Sequence, residues 1–134
     1  MEIILYRNTN VAGNFEEAIR ASFPQITAYT SMTSFCTRLR HTPAQSAIIV
    51  LAAADEQELT TLISFRHLIE DSSIVLILPI KESVLLAKAH KLRPRFIGDL
   101  ESGAHEVIAV IQKMLSREVE LKEAEIGNDS VGFH

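Results

Sequence analysis

Cys36 is the single cysteine of this 134-residue chain, so no internal disulfide can staple the fold and its stability has to come from an apolar core. A chain 47% hydrophobic can supply one, and its length fits a single domain. No apolar run approaches the roughly 20 residues that a membrane-spanning helix requires, so no membrane partner is expected. There is no basic surplus either: 13 Lys and Arg stand against 17 Asp and Glu, for a net charge of −4. That balance argues against holding a nucleic-acid backbone. Glycine is scarce, and Gly13 stands alone before the first helical stretch, so no glycine-rich phosphate loop follows a strand. The N-terminus opens on a strand-like run with no basic region ahead of a signal core. With the lone thiol, this gives the expectation of a reduced, cytoplasmic protein.

What is present is an alternation of five short apolar runs with five amphipathic stretches. Ile3-Ile4-Leu5-Tyr6 reads as a strand, followed by Asn8, Asn10 and Gly13 as turn residues and by Phe15, Ala18, Ile19 and Phe23 at helical spacing. Asn14 with Glu17 has the form of an N-cap pair, and Pro24 ends the helix. Ile26 to Tyr29 is a weaker strand. A short helix carrying Phe35, Cys36 and Leu39 follows, closed by His41-Thr42-Pro43.

Ala47 to Ala52 and Ile74 to Leu78 are continuously apolar, as expected of strands covered on both faces in a parallel sheet. Asp55 and Glu58 read as N-cap and N3 of a helix with Leu59, Leu62, Ile63 and Ile69 turned inward. A further helix carries Val84, Leu85, Ala87 and Lys88 and stops before Pro94. The last strand is read as Arg95-Phe96-Ile97, broken by Gly98. From Ala104 to Ile126 a long helix is expected, its second half projecting, and residues 127–134 are expected to be a disordered tail.

Strand followed by helix, five times over, predicts one α/β domain over residues 1–126. The expected architecture is a doubly wound parallel (βα)5 sheet of flavodoxin-like order 2-1-3-4-5 with an extended C-terminal helix. Ligands of such sheets sit outside the carboxyl ends of the strands.

In element order and length, and in the Phe96 position with the basic segment before it, the chain resembles the CheY-like receiver domains of bacterial response regulators. The resemblance implies a two-component signalling role and a strand-end site. That site comprises an acidic pair after strand one for Mg²⁺, an acceptor aspartate ending strand three, a hydroxyl ending strand four and a lysine ending strand five. Here strand one ends in Tyr6-Arg7-Asn8, strand three in Leu51-Ala52-Ala53-Ala54, strand four in Leu78-Pro79 and strand five in Gly98-Asp99. All four positions depart from the pattern. The expectation is a pseudo-receiver, not an enzyme and without a cofactor or metal, whose emptied pocket is formed by Tyr6, Arg7, Asn8, Ala52, Ala53, Leu78 and Asp99. Arg7 is expected to pair with Asp99 or Glu101.

Asp55 is the one acid near the acceptor position, readable as a relocated phospho-acceptor or as a helix cap. The five histidines lie on separate elements without metal-ligand spacing. Lys88, Lys91, Arg93 and Arg95 form the densest positive segment, readable as cations at a helix C-terminus or as a docking face. In the receiver family the face of helix four, strand five and helix five is the usual output and dimer surface. Those residues with Phe96, Ile111, Leu115 and Val119 are therefore the candidate interface, for a protein partner or a homodimer. Two rivals stand beside this adaptor reading: a divergent receiver using Asp55, and a small-ligand sensor with a pocket lined by Tyr6, Ala52, Ala53 and Leu78.

Overall fold

Strands without a polar face have to be covered on both sides. The computed structural model, which describes residues 2–9, 11, 13–41 and 47–117, meets this with five parallel strands in the order β2-β1-β3-β4-β5. They are β1 (Ile3–Arg7), β2 (Thr27–Tyr29), β3 (Ile48–Ala52), β4 (Ser73–Leu78) and β5 (Phe96–Asp99). The connecting helices are α1 (Gly13–Ser22), α2 (Met32–His41), α3 (Glu56–Ser64) and α4 (Ser83–Ala89). A fifth, α5, spans 105–117 of the described residues. The doubly wound architecture expected from the sequence is the one observed.

Alternation along the strands sorts the core into two layers. Ile4 and Tyr6 of β1, Ile49 and Leu51 of β3, and Leu76 and Leu78 of β4 pack with Phe35, Leu39, Leu59, Leu62 and Leu85 from α2, α3 and α4. Ile3, Leu5, Ile48, Val50, Ala52, Val75 and Ile77 pack on the other face with Phe15 and Ile19 of α1 and Val107 and Ile111 of α5. Every residue of β3 is buried. A single-residue change of position along a strand therefore decides which helices a side chain meets.

The structure corrects several boundaries. β5 does not break at Gly98 but runs through it, with Gly98 opposite Ile77 and Asp99 opposite Leu78. Close packing favours glycine there. A Cβ would lie 3.2 Å from the Phe96 ring and 3.4 Å from Val107 of α5. α1 begins at Gly13, which puts Asn14 inside its first turn and not at the cap. α3 stops at Ser64, and Ile69 lies beyond a separate 3₁₀ turn, Arg66–Leu68. The second half of the expected long helix, including Val119, and the expected tail at 127–134 fall outside the described residues.

Candidate functional site

Tyr6 is the last inward residue of β1 on the α3 side, and it is 2% exposed. Its hydroxyl donates to Glu58 Oε2 at 3.1 Å. The Asn8 side-chain amide, just past the strand, donates to the same oxygen. The backbone N–H of Ala54 donates to Glu58 Oε1 at 3.0 Å. One carboxylate from the first turn of α3 thus gathers three donors from the ends of β1 and β3. Burial, reinforced by the Glu58 charge, pushes the Tyr6 phenol well above its ordinary value. The Tyr6 ring also packs on Phe35, centroids 5.2 Å apart.

Asp55 caps this helix. Its Oδ1 accepts the Glu58 amide at 2.8 Å from an extended backbone, the geometry of an N-cap. Of its two sequence readings, the cap is what the geometry shows. Glu58 stands at the N3 position, but it bonds the amide before the cap residue and not that of the cap itself. Open space of about 390 Å³ adjoins the cluster, with Thr9, Thr30 and Thr61 among its walls.

Arg7 points the other way. Its Nε donates to Glu16 Oε1 of α1 at 2.8 Å and its Nη1 to the Val11 carbonyl at 3.1 Å. The Glu16 carboxyl is partly buried, which opposes ionisation. Hydrogen bonds from Arg7 and Arg20 outweigh that and hold it below its ordinary range. The expected pairing of Arg7 with Asp99 or Glu101 is therefore replaced by Glu16. Arg7 shares the α1 face with its neighbour Ala52, whereas Asp99 shares the opposite face with Leu78. Three strand spacings, about 14 Å, also separate β1 from β5. Asp99 instead accepts the Ser102 amide at 2.7 Å, which lowers its pKa.

Of the other expected pocket residues, Ala52, Ala53 and Leu78 are fully buried and belong to the core. The candidate interface residues also separate. Lys88 turns onto α3, 2.8 Å from Glu56 and 3.0 Å from the Thr60 hydroxyl. Ile111 is 0% exposed beneath α5, so its side chain is spent on the sheet. Phe96 and Leu115 are half-buried against the same layer, while Lys91, Arg93 and Arg95 remain exposed. Ile80, which sequence reasoning did not name, and Val84, which it read only as part of a helix, are 42% and 51% exposed at the entry to α4. Cys36 is buried, and burial raises its pKa, as a core thiol should show.

The receiver resemblance noted in the sequence would imply a Mg²⁺ site at the strand ends, and the donor set does not suit one. A hard cation needs several free oxygen ligands. Both Glu58 oxygens already accept hydrogen bonds, Asp55 Oδ1 is committed to the cap, and Arg7 follows Tyr6 where acids would stand. Among the described residues no three His, Cys, Asp or Glu side chains are grouped to hold a metal. No described helix is long and apolar enough to cross a membrane.

No family model and no curated protein sequence matches the chain significantly. Solved structures do. A protein from Burkholderia pseudomallei described as pilus assembly-related superposes with a TM-score of 0.59 at 16% identity, covering 84% of this chain and 88% of that one. A response regulator from the same organism, solved with a phosphorylated aspartic acid, calcium ion and citrate, superposes with a TM-score of 0.57 at 14% identity. That match covers 92% of this chain and 74% of the other. At these identities the likeness is one of fold, and the fold of this chain is that of a response-regulator receiver.

Proposed function

We propose that this chain is a pseudo-receiver: a non-catalytic signalling or regulatory domain that is not phosphorylated and acts by protein–protein contact. The observation that carries this reading is the Glu58 carboxylate, tied to Tyr6, Asn8 and Ala54 at the place where a receiver keeps its reactive acids. Phosphoryl transfer to a carboxylate requires a hard cation and positive donors around converging oxygens. Ala52-Ala53, Leu78-Pro79 and Gly98-Asp99 offer no acceptor aspartate, hydroxyl or lysine at the ends of β3, β4 and β5. Asp55, the acid nearest the expected acceptor position, accepts the Glu58 amide at Oδ1 as the α3 cap.

The contact surface we assign is the α4, β5 and α5 face, engaging a protein partner or a second copy of this chain. Ile80 and Val84 support it as the exposed large hydrophobics of the described residues. The same fold occurs in a phosphorylated response regulator and in a protein described as pilus assembly-related, so fold alone does not choose between a switch and an adaptor. Incubation with acetyl phosphate and Mg²⁺ does. Unchanged intact mass is the expected result, and a phosphoryl adduct abolished by Asp55→Asn would overturn the reading. Val84→Lys should weaken partner capture or concentration-dependent dimerisation.

A further inference from the structure

At the amino end of β4, opposite the strand-end site, lies a recess of about 370 Å³. Its walls are the 3₁₀ turn Arg66–Leu68 after α3 and a second 3₁₀ turn, His90–Leu92, after α4. Ile74 and Leu92 are buried lining residues, and Ser72 lines it as well. Arg66, Lys91 and Arg93 converge on it from these two turns, with Glu70 the one acid among the lining residues. None of the three cations makes a side-chain hydrogen bond or ion pair among the described residues.

Cations at helix C-termini are favourable to the helix dipole, which accounts for Arg66 and Lys91 one element at a time. It does not account for their meeting around one cavity in a protein of net charge −4. Arg93 adds an independent sign. It is the single non-glycine residue among those described with positive φ, at 51°, where glycine is favoured. A side chain kept at such a backbone position points to a role for that side chain.

We propose that this recess binds a small oxyanion carrying two or more negative charges, of the phosphate-ester or polycarboxylate kind. Arginine forks match the oxygens of both groups bidentately. The volume is that of a small-ligand pocket, toward the lower end of about 300–1,000 Å³, and suits a compact ligand more than a peptide.

The test is an amide NMR titration of the full chain at constant ionic strength, with inorganic pyrophosphate and separately with tricarballylate. Saturable shifts centred on Arg66, Ser72 and 90–93 are expected with at least one probe, and the stronger probe identifies the source class. Lys91→Gln and Arg93→Gly should each weaken binding about tenfold, the worth of one charge-assisted hydrogen bond. Arg93→Gly should do so without lowering Tm, since glycine accepts the left-handed backbone. Lys113→Gln, an exposed cation on α5, should leave binding unchanged. Absence of saturation with both probes, or equal loss in the Lys113 control, would overturn the proposal.

Discussion

Glu58 and Tyr6, 52 residues apart, meet at 3.1 Å across the carboxyl ends of the sheet, with the carboxylate accepting and the phenol donating. Removing that carboxylate takes away the acceptor shared by Tyr6, Asn8 and Ala54. Glu58→Ala should therefore destabilise the protein by about 2–3 kcal/mol in urea unfolding, within the range for unsatisfied partly buried donors. Tyr6→Phe removes one donor and keeps the ring on Phe35, so it should cost about 1 kcal/mol.

Alkaline unfolding should carry the Tyr6 signature. The folded phenol titrates above the ordinary 10.0, because of its burial first and of Glu58 second. Below pH 10 both folded and unfolded chains keep the proton, and the contribution is fully present. Above it the unfolded chain releases the proton first, so stability falls as pH rises toward the folded pKa. Tyr6→Phe should flatten that limb of the stability curve relative to wild type. Parallel curves would contradict the assignment.

At acid pH the sign reverses at Glu16, whose folded carboxyl titrates below the ordinary 4.5. Its stabilisation is present above that value and lost as pH falls through the folded pKa. Glu16→Gln should be less stable at neutral pH and lose less on acidification. A double-mutant cycle between Arg7→Ala and Glu16→Gln should give a coupling of about 0.5–1 kcal/mol for this partly exposed pair, reduced by salt. The corresponding cycle between Arg7 and Asp99 should give none.

Asp55→Ala should cost about 1 kcal/mol by uncapping α3, with Asp55→Ser recovering most of it. Gly98→Val should cost about 1–3 kcal/mol, because its branches would press on Phe96 and Val107. Thermal or urea unfolding checks both.

The sheet was legible because continuous apolar runs such as Ile48 to Leu51 admit few settings other than a strand covered on both faces. Strand order followed from the alternation with helices. Gly98 misled because a glycine that breaks a strand and a glycine that lets α5 approach one look alike in sequence. Glu58 was legible only as the partner of Asp55 in a helix start. Its reach to Tyr6 depends on the register of β1 against β3, which local pattern does not encode. Arg7 was assigned the wrong partner for a similar reason: the pleat puts it on the α1 face, and its pairing with Glu16 spans a turn with no fixed signature.

The most direct measurement is a set of amide NMR spectra of labelled protein with and without Mg²⁺ and beryllofluoride, a mimic of aspartyl phosphate. Superimposable spectra around Asp55, Glu58 and the ends of β1 and β3 are expected of a domain whose strand-end carboxylate is already satisfied from within. Saturable shifts concentrated at Asp55 and those strand ends would mean that a phosphorylation switch survives, and would contradict the pseudo-receiver assignment.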